Sequence, residues 1–134
     1  MKYLLDTNTC IRYLNGSSEN IKHQFERHNY NEIALCSIVK AELFYGAFKS
    51  ANPDKNLARI NEFFRPFYSL AFEDNPSRIY GEIRLALEKR GKPIGPYDLL
   101  IASIALSNQL IVVTHNIREF SRIDNLRIED WEKK

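Results

Sequence analysis

The sequence predicts an α/β domain: a central parallel sheet of about four or five strands flanked by helices. Two observations carry that expectation. Short β-rich apolar runs at Lys2 to Leu5, Ile33 to Cys36 and Leu110 to Val113 are bounded by polar residues, as buried strands are. Helix-length segments lie between them, and strands alternating with helices favour parallel pairing through right-handed crossovers.

The first strand runs straight into Asp6, and Asp6 can cap a helix beginning near Asn8. Asn15 to Asn31 is polar and fits either a helix or a surface loop. After the second strand, Ser37 can cap an amphipathic helix over Ile38 to Phe48, although Lys40 stands where a capping box wants Glu. Asn52-Pro53 and Asn75-Pro76 each place a capping Asn before a proline suited to a first helical turn. Leu57, Ile60, Phe63, Phe64 and Phe67 then recur on one face, as do Ile79, Ile83 and Leu87. Pro96 can open a helix whose segment Leu99 to Leu106 is apolar on nearly every side, so that helix should be central.

A chain of 134 residues fits a single domain over 1–134. With 44% hydrophobic and 27% charged residues, and no apolar run near the roughly 20 residues that cross a bilayer, it reads as soluble. Asp6 interrupts the N-terminal apolar run too early for a signal peptide, so a cytoplasmic location is expected. Cys10 and Cys36 lack a C-x-x-C spacing and read as two buried thiols. His23, His28 and His115 have no metal-ligand spacing and read as surface residues. A net charge of +2 neither requires nor excludes a nucleic-acid partner.

The chemistry-bearing residues are carboxylates far apart in the chain. Asp6 ends the first strand, and the carboxyl ends of parallel strands are where ligands bind. Asp98 follows Gly95-Pro96 in the first turn of the apolar helix, where the helix dipole also favours a carboxylate. Glu42 sits among apolar neighbours and must be exposed or paired. Thr114-His115-Asn116 and Glu119 come directly after the third predicted strand. Each has an ordinary alternative as a helix cap or a surface charge. Gathered at one rim, however, such oxygen donors suit Mg²⁺ or Mn²⁺, and crowded like charges need a cation to stay ionised. Lys89, Arg90 and Lys92, just before Asp98, are candidates to guide the phosphates of a polyanion or simply solvated charges.

The residues resemble the PIN-domain nucleases and, within them, the VapC toxins of bacterial toxin–antitoxin pairs. The resemblance rests on four stretches in order: Leu4-Leu5-Asp6-Thr7-Asn8-Thr9-Cys10, Ser37 with Glu42, Ile94 through Ala102 around Asp98, and Val113 through Phe120 with Glu129-Asp130-Trp131 beyond. It spans nearly the whole chain. It implies a PIN-domain fold and an Mg²⁺-dependent endoribonuclease, with Mn²⁺ a possible substitute. Asp6, Glu42 and Asp98 would be catalytic acids and Asp6 and Asp98 metal ligands, with Thr7, Asn8, Ser37, Thr114 and Asn116 in support. Many such nucleases carry a fourth acid where this chain has Asn116, and Glu119 is the candidate replacement. The resemblance also implies a homodimer, a VapB-type antitoxin that covers the acidic pocket, and contact with operator DNA only through that antitoxin. Structured RNA would be the substrate, with the initiator transfer RNA the first candidate. Phe44, Tyr45, Phe48, Phe63, Phe64 and Phe67 are either core or docking residues.

Competing chemistries lack their residues. An aspartyl phosphatase needs a second Asp two positions after the first, and Asn8 stands there. Neither G-x-S-x-G nor G-x-x-x-x-G-K-[ST] occurs. The remaining alternative is a non-catalytic PIN-like module that binds an antitoxin and operator complex.

Overall fold

The structure, a computed structural model, describes residues 1–133. Its five strands are β1 (Tyr3–Leu5), β2 (Ile33–Cys36), β3 (Tyr68–Leu70), β4 (Ile111–Val113) and β5 (Ile128–Glu129). All pair in parallel, in the order β3-β2-β1-β4-β5. The three strands expected from apolar runs are the three central ones, and every residue in them is buried. The edges β3 and β5 were not individually legible, because they are short, partly exposed and free of apolar runs.

The helices are α1 (Thr7–Asn15), α2 (Glu19–Arg27), α3 (Ser37–Phe48), α4 (Pro53–Phe64), α5 (Asp74–Lys89), α6 (Pro96–Ser107) and α7 (Ile117–Phe120). The open question over Asn15 to Asn31 resolves in favour of helix. Gly16, at φ 65°, closes α1 in the left-handed region that glycine tolerates, and the Ser18 hydroxyl accepts from the Ile21 amide to start α2. Only Ile21 and Phe25 of α2 are buried, one turn apart on an otherwise polar helix, so the segment's polarity left loop and helix both open.

Two capping expectations are corrected. Cys36 is the cap residue of α3, and Ser37 is already helical, its hydroxyl donating to the Leu70 carbonyl of the neighbouring strand. α5 starts two residues early, at Asp74 after Glu73, so Asn75 lies inside the first turn rather than at the cap. Pro76 remains acceptable there, since first-turn amides have no partner within the helix. Asn52 and Pro53 open α4 as expected, but the Asn52 side chain makes no capping bond.

α6 is the central helix, with Leu99, Ile101, Ala102, Ser103, Ile104 and Ala105 all buried, and α5 packs along it. The buried Ser103 hydroxyl is satisfied by the Leu99 carbonyl at 2.7 Å. A second cluster of rings ties α1, α2 and α4 to the C-terminal segment: Tyr13 stacks on Phe25 at 3.9 Å, and Trp131 meets Phe25 edge-on at 5.6 Å. His28 is half-buried and stacks on Trp131 at 5.2 Å, so it is not the surface residue expected. Cys10 and Cys36 are buried free thiols. Phe64 is core, Phe44, Phe63 and Phe67 are half-buried, and Tyr45 and Phe48 project from α3 at 66% and 64% exposure. Among the described residues, no helix is long and apolar enough to cross a membrane.

Candidate metal centre

The strand order reverses direction at β1. The chain builds outward through β2 and β3, then returns to β1's other side for β4 and β5. The crevice at the carboxyl ends of β1 and β4 is therefore a topological switch point, where open parallel sheets bind ligands. Asp6 leaves β1 at this rim and Thr114 leaves β4 beside it, with the Asp6 amide donating to the Val113 carbonyl at 3.0 Å.

Asp6 is 4% exposed, and both readings of it meet in one side chain. It caps α1, one carboxylate oxygen accepting from the Thr9 amide at 2.9 Å. It is also a buried charge facing the cleft. Burial raises its pKa above the usual carboxylate range, opposed by hydrogen bonds from Thr114 and Thr9. Thr9 is itself fixed, its hydroxyl donating to the Val113 carbonyl at 3.2 Å.

Asp98 sits in the first turn of α6, opened by Gly95 and Pro96. Its pKa is pushed up to about 6, first by burial, then by the negative charges of Asp6, Glu119 and Glu42. Asp98 thus lies within electrostatic reach of the other three carboxylates singled out from the sequence. Asn116 spans two of the four: its amide nitrogen lies 3.3 Å from Asp98 Oδ2 and 3.2 Å from Glu119 Oε2. The Asn116 backbone amide is held by the Thr114 hydroxyl at 2.9 Å. Glu42 reaches the site from α3, where the Thr7 hydroxyl donates to it at 2.6 Å.

The groups that hydrogen-bond to these four acids are hydroxyls and amides, not cations. Neutral donors lower the cost of burying a carboxylate without cancelling its charge. An oxygen-only donor set with uncancelled charge fits a hard divalent cation, Mg²⁺ or Mn²⁺, better than a soft metal. Two expected supports lie apart. Ser37 is exposed and bonds to Leu70, and Asn8 lines the cleft with no hydrogen bond to the acids among the described residues.

Beside this centre stands a cluster that sequence reasoning missed. His115 Nδ1 lies 2.9 Å from Asp130 Oδ2 and 3.3 Å from Glu132 Oε2, and Arg12 of α1 pairs with Glu132. Asn20, in the first turn of α2, donates to the Glu132 carbonyl at 2.8 Å, so the C-terminal segment is strapped to both α1 and α2. Asp6, Arg12, His115, Asn116 and Glu132 line one cleft of about 600 Å³. No spacing signal joins residues that far apart in the chain.

A model of the PIN domain matches residues 3–126. The chain is 44% identical over 133 residues to the tRNA(fMet)-specific endonuclease VapC of Salmonella typhimurium, covering 98% of each protein. The chain belongs to the PIN-domain family. Its resemblance to the VapC branch holds equally against the protein of the same description from Shigella flexneri, 41% identical over 98% of each chain. Among solved structures, this PIN domain superimposes on a chain of the DNA-bound VapBC complex from Salmonella typhimurium with a TM-score of 0.92, at 43% identity over 98% of each chain. The five-stranded parallel sheet flanked by helices is thus the PIN fold the sequence resemblance implied.

Proposed function

We propose that this PIN domain is a divalent-metal-dependent endoribonuclease, the toxin of a toxin–antitoxin pair, acting in the cytoplasm on structured RNA. One observation carries the reading: Asp6, Glu42, Asp98 and Glu119 gather at a switch-point crevice, and every side chain that hydrogen-bonds to them is neutral. Asp6 and Asp98 would hold Mg²⁺ or, in its place, Mn²⁺, with Glu42 and Glu119 completing the acidic shell. Such a cation, when bound, activates water and offsets charge developing on a phosphodiester. The chain's own residues supply orientation: Thr9 and Thr114 fix Asp6, Thr7 fixes Glu42, and Asn116 holds Asp98 and Glu119 apart. Asn8 lines the cleft beside Asp6, whereas Ser37 stands apart from it.

Identity of 44% and 41% to tRNA(fMet)-specific endonucleases makes the initiator transfer RNA the first substrate to try. A VapB-type antitoxin, a toxin homodimer and operator DNA reached through the antitoxin follow from likeness to the DNA-bound VapBC assembly. Tyr45 and Phe48 offer exposed aromatic surface for such contacts.

The test uses the purified chain freed of any partner, with initiator transfer RNA and Mg²⁺. Cleavage is expected, and it should vanish in chelator and in Asp6→Asn. Cleavage that persists in both controls rules out the carboxylate–metal centre. No cleavage under any condition would favour the non-catalytic binding module.

A further inference from the structure

A nuclease whose centre is ringed by four carboxylates repels the polyanion it must bind, so its affinity for RNA has to come from elsewhere on its surface. The turn from α5 to α6 and the segment around α7 form a pocket of about 570 Å³ lined by Arg90, Lys92, Arg118 and Arg122, with Asp124 at its edge. Four cations against one anion exceed the +2 net charge of the whole chain, so the positive excess of the molecule is concentrated here. Of the basic residues expected from the sequence, Arg90 and Lys92 line this pocket and Lys89 does not; Arg118 and Arg122 arrive from a segment that sequence reasoning did not connect with them.

The pocket is built rather than incidental. Arg90, the cap residue of α5, donates to the Arg122 carbonyl at 2.6 Å, and Arg122 donates back across the gap to the Pro93 carbonyl at 2.9 Å. Each guanidinium has five N–H donors, so one carbonyl bond fixes its position and leaves charge and donors free. The closest carboxylate, Asp124, is 3.7 Å from Arg90 and 81% exposed, a weak partner. Arg118 and Lys92 form no ion pair among the described residues.

Both walls of the pocket continue into the metal centre. Arg118 immediately precedes Glu119 in α7, and the Arg122 amide bonds to the Glu119 carbonyl one turn on. Lys92 and Pro93 lead through Gly95 to Asp98. A phosphodiester chain crossing Asp98 and Glu119 has these cations next along the same two segments, where its neighbouring phosphates can meet them.

We infer that Arg90, Lys92, Arg118 and Arg122 form a phosphate-binding subsite that holds the RNA backbone next to the scissile bond. The inference rests on the nuclease reading but is separable from it. Lys92→Gln, Arg118→Gln and the double variant leave the Arg90 and Arg122 lacing intact. Binding of a fluorescent initiator transfer RNA transcript is measured in an Asp98→Asn background between about 50 and 200 mM KCl. The plot of log Kd against log salt should flatten by roughly 0.7–0.9 per cation removed. With Asp98 intact, KM should rise several-fold while kcat is kept, and Arg118→Lys should recover most of the loss. An unchanged slope and KM in the double variant overturns the subsite, as does unchanged RNA binding together with weakened capture of an acidic antitoxin peptide. If the protein with Asp98 intact cuts no RNA, the nuclease reading fails, and the salt slope in the Asp98→Asn background still decides the subsite.

Discussion

Two sets of carboxylates, one reaching the cleft through Asp6 and the other through Glu132, differ in what bonds to them. Glu132 pairs with Arg12, a fixed cation, and both Asp130 and Glu132 lie against a ring nitrogen of His115. Asp6 and Asp98 meet threonine hydroxyls, backbone amides and the Asn116 amide, which orient them without neutralising them. A count of acidic residues would rate the sets alike. On the proposed reading, the Arg12 pairing separates a strap that closes the fold from a centre whose charge is left for an external cation to offset.

The largest expected effect sharpens that contrast directly. Asp98→Asn should lower kcat for RNA cleavage by on the order of a hundredfold or more, as removal of a group acting on the reacting centre does. Asp130→Asn should keep kcat within a few-fold of the parent while lowering Tm. Comparable losses of kcat in the two variants would erase the distinction.

Cation binding should raise the melting temperature of the parent protein, since a ligand at a hundred times its Kd stabilises by about 2.7 kcal/mol. Most of that gain should disappear in Asp98→Asn and survive in Glu132→Gln. Equal Mg²⁺ stabilisation of all three proteins would move the binding site away from Asp98.

A pH effect follows from the same uncancelled charge. Asp98 titrates near 6 in the folded protein against 3.8 for the free side chain, so folding favours its protonated form. Its contribution to stability is complete below 3.8 and is lost as pH rises through about 6. In chelator, the difference in Tm between Asp98→Asn and the parent should therefore grow in the variant's favour across that interval, then level off. A difference that shrinks with rising pH would mean that Asp98 is held by a cationic partner.

The same physics explains what the sequence made legible. β1, β2 and β4 are buried on both faces and had to be apolar runs, whereas β3, with Tyr68 57% exposed, and the two-residue β5 carry no such demand. Asp6 and Asp98 stood out because each interrupts or opens an apolar element at a fixed place, a strand end and a helix start. Arg12, His115 and Glu132 have no periodic relation and meet only because Trp131 is anchored among the rings of Tyr3, Phe25 and His28. Arg118 and Arg122 read as ordinary helix-surface charges until their carbonyl partners on the α5–α6 turn are known.

Asn116 offers the finest adjustment of the comparison. Its amide lies 3.2 to 3.3 Å from Glu119 and Asp98, long bonds worth about 1 kcal/mol together with the repulsion they relieve. Asn116→Asp replaces that donor with a third negative charge between two others. Without a cation the variant should melt slightly below the parent, and its excess stability at low pH should widen, because another carboxylate must ionise beside Asp98. With Mg²⁺ the order should reverse, since the added oxygen both ligates and supplies charge for the cation to offset. A loss of Tm that saturating Mg²⁺ fails to restore would assign Asn116 to the framework of α7 instead of to the spacing of the acids. Recovery would show that the amide stands where a fourth ligand fits, and that Glu119 serves in its place.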